Sequence, residues 1–187
     1  RVTRTDTHQG VVAIVAAGKY TTLDAILLKA KKSGEQPFII VLDGIQDPQN
    51  LGAIIRSAVC AGAHGVVIPK DRAVGLTSTV EKASAGALSY MDVTKVTNIS
   101  QTLEELKDKG FWIIGTDSKA TGDLYSANFT GPVGLVIGSE GEGIRPLVAK
   151  KCDLLVSIPI KGKVSSLNAS AAAAVIMYEA VRQRGTK

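Results

Sequence analysis

Three short stretches of this chain gather polar residues at spacings that could act on a ligand. The first runs Asp43-Gly-Ile-Gln-Asp-Pro-Gln-Asn-Leu-Gly-Ala-Ile-Ile-Arg56 and carries Asn50 and Arg56. Gly44, Asp47 and Pro48 mark a turn, and Leu51, Ile54, Ile55, Ala58 and Val59 then recur at helical spacing. Asn50 reads either as a helix cap or as a group that positions a ligand, and Arg56, off the apolar stripe, as a solvated cation or an anion contact. The second stretch, Gly138-Ser-Glu-Gly-Glu-Gly-Ile-Arg-Pro146, directly follows an apolar run. Its order G-x-x-G-x-G is neither the dinucleotide fingerprint nor a P-loop. Glu140 would repel a pyrophosphate, so a ligand with a positive centre suits the loop better. The third, Ile158-Pro-Ile-Lys-Gly-Lys-Val-Ser-Ser-Leu-Asn-Ala-Ser170, places Lys161 and Lys163 on a loop and Ser165, Ser166 and Asn168 at the start of a helix. Backbone amides at a helix N-terminus, hydroxyls and cations are thus expected within about a dozen residues.

Elements of the right kind surround these stretches. Apolar runs at Phe38–Leu42, Gly65–Ile68, Phe111–Gly115, Val133–Ile137 and Leu154–Ile158, with a shorter one at Asp92–Val96, read as strands. They are apolar throughout rather than alternating, as strands covered on both faces are. Helical patterns fall at Thr22–Ser33, Leu51–Ala61, Thr77–Ala87, Ile99–Lys109, Ile144–Lys150 and Leu167–Arg184. The alternation predicts an α/β domain with a mostly parallel sheet flanked by helices. Each of the three polar stretches then leaves the carboxyl end of a strand, where open α/β sheets bind ligands. In the last helix, Leu167, Ala171, Ala174, Tyr178 and Val181 predict a buried stripe, and Val175, Ile176 and Met177 widen the apolar surface, which reads either as a core helix or as one shared between the core and a subunit interface.

Bulk properties narrow the function classes. The chain has 187 residues, 22 Lys and Arg against 17 Asp and Glu, and a net charge of +5, which suits a polyanionic partner. One Trp, four Tyr and three Phe are too few for an extended base-stacking platform, so nucleic-acid contacts should lean on phosphates. Two cysteines (Cys60, Cys152) and two histidines (His8, His64), with no C-x-x-C or H-E-x-x-H, predict neither a disulfide framework nor a metal site. No apolar run is long enough to span a membrane, and no signal-peptide pattern opens the chain. A cytoplasmic protein is expected.

Taken in order, the three stretches resemble the signatures of the SpoU family of RNA ribose 2′-O-methyltransferases: N-x-x-x-x-x-R, I-G-x-E-G-x-G and I-P-hydrophobic…S-x-N. Here they read Asn50…Arg56, Ile137-Gly-Ser-Glu-Gly-Glu-Gly143 and Ile158-Pro-Ile…Ser166-Leu-Asn168, and the resemblance covers roughly Pro37 to Arg184. The segment Thr7–Ala13 resembles the linker into the catalytic domain of RlmB-type 23S ribosomal RNA methyltransferases. Residues 1–22 are accordingly expected to link to an upstream RNA-binding domain, and residues 23–187 to form the catalytic domain.

The resemblance implies S-adenosyl-L-methionine as cofactor, a C-terminal deep trefoil knot that periodicity cannot reveal, and a homodimer through the C-terminal helix. Gly138, Ile158 and Leu167 would contact the cofactor, with Thr116 a further wall of its cleft. The family proposal makes Arg56 the general base. Arginine keeps its proton in proteins, so Arg56 is equally read as a phosphate contact, with Glu140 accepting the proton or orienting Arg56. Asn50, Ser166 and Asn168 would position the ribose. Lys161, Lys163 and Arg145, with Arg182 and Arg184, are expected to contact phosphates. A guanosine of 23S ribosomal RNA is the expected substrate. A transfer RNA ribose, or an RNA-binding module without catalysis, stand as alternatives, and the glycine order disfavours a nucleotide-binding oxidoreductase.

Overall fold

The computed structural model describes residues 18–185, so the expected linker lies mostly outside the described residues. The eight strands are β1 (Tyr20–Thr21), β2 (Phe38–Asp43), β3 (Gly65–Pro69), β4 (Val93–Val96), β5 (Trp112–Thr116), β6 (Gly122–Asp123), β7 (Val133–Gly138) and β8 (Leu154–Ser157). They form one sheet in the order β1-β4-β3-β2-β7-β5-β8-β6, and every pairing is parallel. All carboxyl ends therefore point to one edge. β2 and β7 sit side by side from Phe38↔Val133 to Asp43↔Gly138, which brings the first two polar stretches together.

Successive strand side chains face opposite ways, and both faces are covered. Phe38, Ile40 and Leu42 of β2 join one core with α2 (Pro48–Cys60), α3 (Ser78–Ala83) and α6 (Ala169–Arg184). Ile39 and Val41 join the other with α1 (Leu23–Ser33), α4 (Ile99–Asp108) and α5 (Pro146–Ala149). Burying each such Ile or Leu contributes about 1.5–3 kcal/mol. Helix ends follow their sequence signals. Thr22 accepts from the Ala25 amide to open α1, and Gly34, at φ 72°, closes it.

Four expectations are corrected. Tyr20 and Thr21 are not tether but an edge strand on β4, held by the Tyr20 hydroxyl, which accepts from the Leu76 amide at 2.8 Å. The helix expected over Thr77–Ala87 stops at Ala83, because Ala85 takes φ 50°; a 3₁₀ turn follows at Ala87–Tyr90. The helix expected over Ile144–Lys150 is a single turn. In α6 the buried residues are Ala169, Ala173, Ile176, Met177, Glu179 and Ala180, while Leu167, Ala171 and Tyr178 of the expected stripe are exposed. The alanine-rich sequence offered two apolar faces, and the one turned inward sets Ala169, Ala173, Ile176, Met177 and Ala180 into the core shared with α2.

Candidate active site

β2 delivers the chain to Gly44, and the Asp47 carboxylate caps α2 by accepting from the amides of Gln49 and Asn50, both at 3.1 Å. Pro48 occupies the first turn, where its missing N–H costs nothing. Asn50 is therefore not the cap. Its buried side chain is free to reach across the sheet edge, where Nδ2 donates to Glu140 Oε1 at 3.1 Å.

β7 delivers Gly138, after which the chain folds back on itself. Ser139 and Gly143 exchange backbone hydrogen bonds of 3.1 and 3.0 Å. A Cβ at Gly138 would stand 2.1 Å from the carbonyl carbon of Gly143, so only glycine admits this fold-back. The glycines thus serve the loop's own closure, and Glu140 stands at its tip.

The third contribution is the start of α6. Asn168 Oδ1 caps the helix, accepting from the amides of Ser170 (3.0 Å) and Ala171 (3.2 Å). Its Nδ2 donates to Asn50 Oδ1 at 2.9 Å and to Glu140 Oε1. The Ala169 amide donates to the same carboxylate oxygen at 3.2 Å. One oxygen of Glu140 thus gathers Asn50, Asn168 and the positive end of α6, an arrangement that suits a carboxylate. This network holds Glu140 in place and leaves Oε2 as the oxygen able to accept anything further.

Two clefts open on either side of this knot of polar groups. The larger, about 480 Å³, is lined by Thr116, Gly138, Ile158, Ser166 and Leu167, with Ile137, Val156 and Ile176 as apolar walls. The smaller, about 370 Å³, is lined by Gly44, Ile45, Gln46, Asp47 and Asn50. Ser139, Glu140 and Glu142 border both. Each volume lies within the range of small-molecule sites.

The structure brings Asn50, Glu140 and Asn168 into contact and places Gly138, Ile158, Leu167, Thr116 and Ser166 on one cleft. Arg56 does not join them. It is exposed on α2, about 9 Å along the helix from Asn50 by helical rise, and lines neither cleft. Lys161 and Lys163 are exposed on the loop between β8 and α6.

Three expected phosphate contacts are corrected. Arg145 turns inward: its Nε donates to Asp43 Oδ1 at 2.7 Å and its backbone amide to Oδ2 at 2.9 Å, while a terminal nitrogen lies 2.5 Å from Oδ1. Asp43 is fully buried, so this pair fastens the glycine loop to the end of β2 and commits the guanidinium there. Arg184 donates to the carbonyls of Gln36, Phe129 and Gly131, and burial pushes its guanidinium below the ordinary value. Arg182 chelates Glu179, whose carboxyl is held below the usual range first by that hydrogen bond and further by Gln183. Arg184 fastens the C-terminal end of α6 to the neighbouring loops, while the Arg182–Glu179 pair lies within the helix itself.

Sequence reasoning missed Asp43, Asp47 and Lys119, the last of which lines the larger cleft. A charged residue closing a fully apolar strand was the available signal for Asp43. No group of His, Cys, Asp and Glu suited to a metal occurs among the described residues, and no described helix is long and apolar enough to cross a membrane.

Comparison with known proteins agrees with this geometry. The family model described as the SpoU rRNA Methylase family matches residues 37–178. YacO of Bacillus subtilis, named for the TrmH family of tRNA/rRNA methyltransferases, is 53% identical over 180 residues, covering 96% of this chain and 72% of that protein. The 23S rRNA (guanosine-2′-O-)-methyltransferase RlmB of Ralstonia nicotianae is 50% identical over 181 residues, with the same coverage of 96% and 72%. Among solved structures, the SpoU methyltransferase AviRb of Streptomyces viridochromogenes in complex with AdoMet superposes with a TM-score of 0.79 at 32% identity, over 89% of this chain and 66% of that one.

Proposed function

The chain belongs to the SpoU rRNA methylase family, and from that premise we propose that it transfers a methyl group from S-adenosyl-L-methionine to a ribose 2′-hydroxyl of RNA, with a guanosine of 23S ribosomal RNA as the target. The observation that carries this reading is the convergence of Asn50, Glu140 and Asn168, from three chain-distant segments, at the rim of two adjoining clefts. The guanosine and 23S assignment is supported by RlmB-named relatives such as that of Ralstonia nicotianae.

The larger cleft fits the cofactor by its chemistry. Ile137, Val156, Ile158, Leu167 and Ile176 offer an apolar bed for an adenine, and the carboxylates of Glu140 and Glu142 suit a cationic sulfur and amine. Gly138, Ile158, Leu167 and Thr116 would hold it there. When bound, the cofactor supplies an electrophilic methyl group.

The chain's own residues then orient the acceptor and manage its proton. Asn50 and Asn168 fix Glu140, so its remaining oxygen faces the groups brought to the rim without a conformational search. That oxygen is the proton acceptor we propose for the ribose hydroxyl. Ser166, exposed on the cleft wall, is placed to hydrogen-bond the ribose. Arg56 lies outside both clefts, so its proposed contact is a phosphate of a neighbouring nucleotide rather than the reacting ribose oxygen. Lys161 and Lys163 contact phosphates.

Two further parts of the proposal rest on the fold. α6 returns to pack on α2 after β8 has inserted between β5 and β6; this path supports a C-terminal trefoil knot, which a closed trace reducing to a simple loop would exclude. The outward face of α6, with Val175 and Tyr178 exposed, supports a homodimer, and a monomeric mass by light scattering would exclude it. The protein is proposed to work in the cytoplasm, the residues ahead of Tyr20 to link to an RNA-binding domain, and the chain from Tyr20 onward to be the catalytic domain.

Transfer of labelled methyl from S-adenosyl-L-methionine to total cellular RNA, followed by separation of ribosomal from transfer RNA, tests the reading. Label recovered as a 2′-O-methylguanosine of 23S RNA is the expected result. Label confined to transfer RNA would shift the substrate, and no transfer together with no cofactor binding would overturn the enzyme assignment.

A further inference from the structure

The middle of the reaction edge is acidic, which raises the question of where the phosphates of an RNA strand go. Asp47, Glu140 and Glu142 border the clefts and repel a polyanion. On the β5 and β8 side Lys119, Lys161 and Lys163 are exposed and outnumber the acidic Asp117 and Asp123 of that flank. A second positive flank lies on the opposite side, in a segment that none of the three polar stretches includes.

This segment, Lys70–Thr77, leaves the carboxyl end of β3, next to β2 in the sheet. Lys70 and Arg72 are exposed and make no ion pair among the described residues, and Asp71 is the one acidic residue of the segment. The backbone is pinned at three points. The Lys70 amide donates to Val96 O at 2.8 Å, the Val74 amide to Ile45 O at 3.0 Å, and the Leu76 amide to the Tyr20 hydroxyl at 2.8 Å. Ile45 is itself a wall of the smaller cleft, so the loop is tied directly to it. Arg72 is held at φ 57°, a conformation uncommon outside glycine. Lys95 of β4 adds a third cation nearby, 4.5 Å above the Tyr20 ring.

We propose that the Lys70–Arg72 loop is a second RNA contact, gripping backbone phosphates on one side of the acidic centre while Lys119, Lys161 and Lys163 grip them on the other. From β3 to β8 is four strand spacings, roughly 19 Å, a distance that several nucleotides bridge. The strand then crosses the clefts with its phosphates over the cationic flanks and its target nucleoside over the carboxylates. Phosphate contacts of this kind set register and orientation rather than sequence. The inference rests on the RNA methyltransferase reading for its ligand.

The test is fluorescence anisotropy with a labelled single-stranded oligouridylate, titrated at several salt concentrations. The double variant Lys70→Ala/Arg72→Ala should bind about 10-fold more weakly at low salt and lose about 1.4 from the slope of log affinity against log salt, roughly 0.7 for each phosphate contact. Lys31→Ala/Lys32→Ala removes the same charge from the end of α1, at the amino edge of the sheet, and should bind as the parent does. Unchanged affinity in Lys70→Ala/Arg72→Ala, or equal losses in both double variants, overturns the proposal. Calorimetry with S-adenosyl-L-methionine on the parent chain reads the enzyme assignment separately, so failure of one leaves the other standing.

Discussion

The side chain of Asn168 donates to that of Asn50 at 2.9 Å, across 118 residues of sequence, and both donate to the same oxygen of Glu140. Neither amide can be replaced without loosening the carboxylate between them. Asn168 has two separable jobs: Oδ1 caps α6, and Nδ2 holds Glu140. Asn168→Asp keeps the cap but sets a carboxylate against Glu140, whereas Asn168→Ala loses both. Turnover in the methyl-transfer assay should fall at least about 10²-fold in each, the cost of misplacing a reacting group. Thermal stability should drop by about 1 kcal/mol more in the alanine variant, from the lost cap. Asn168→Asp with parental turnover would show that the Nδ2 contacts are dispensable.

The buried Asp43 carboxylate and Arg145 close the glycine loop. Asp43→Ala leaves a guanidinium and a backbone amide without their acceptor. A loss of about 3 kcal/mol is expected, the lower end for a broken buried pair because Arg145 is partly exposed. In a chain of this size that corresponds to roughly 6–12 °C in melting temperature. S-adenosyl-L-methionine affinity should fall with it, since the loop forms one wall of the larger cleft. A melting temperature within a degree of the parent would refute the clasp.

The two cysteines should differ in reactivity. Burial, reinforced by Asp153, pushes the Cys152 thiol up to about 12, so it carries almost no thiolate near neutral pH. Cys60 is exposed on α2. Iodoacetamide on the folded protein should label Cys60 and leave Cys152 unmodified by peptide mass mapping. Equal labelling would mean that the region around Cys152 opens readily.

His64 should make stability depend on mild acid. Its Nδ1 accepts from the Phe38 amide at 3.2 Å, which requires the neutral ring at that nitrogen. Burial lowers its pKa below the ordinary 6.5, opposed in part by Glu35. Folding therefore favours the unprotonated ring. The contribution is complete above pH 6.5 and is lost as the pH falls through the lower folded value. Melting temperature should hold steady from pH 8 to 7 and decline below 6 in the parent. His64→Ala should melt lower at neutral pH and lose part of that decline. A parent and variant whose curves run parallel would remove the role.

The strands were legible because residues such as Phe38–Leu42 and Val133–Ile137 are buried on both faces, and a fully apolar run is what such a position demands. Their parallel order placed the polar stretches at one edge. What could not be read was which partner each polar residue would find. Asn50 looked like a cap because the true cap, Asp47, lies three residues earlier with equal propensity. Arg145 looked like a phosphate contact because its partner lies 102 residues away in sequence. The inward face of α6 was hidden by its alanines, which make either side acceptable. Arg56 was grouped with the site by motif, yet within one chain its helix turns it outward.

Glu140 is completed late in the chain. Asn50 and the glycine loop are already present once β7 and its following turn have formed, yet two of the donors that hold the carboxylate, the Asn168 amide and the Ala169 N–H, arrive beyond β8. A nascent polypeptide with residues past 160 unsynthesised would have its strands and a Glu140 carboxylate held by Asn50 alone. Competence thus waits on the last stretch of the chain to be made, the one that opens α6.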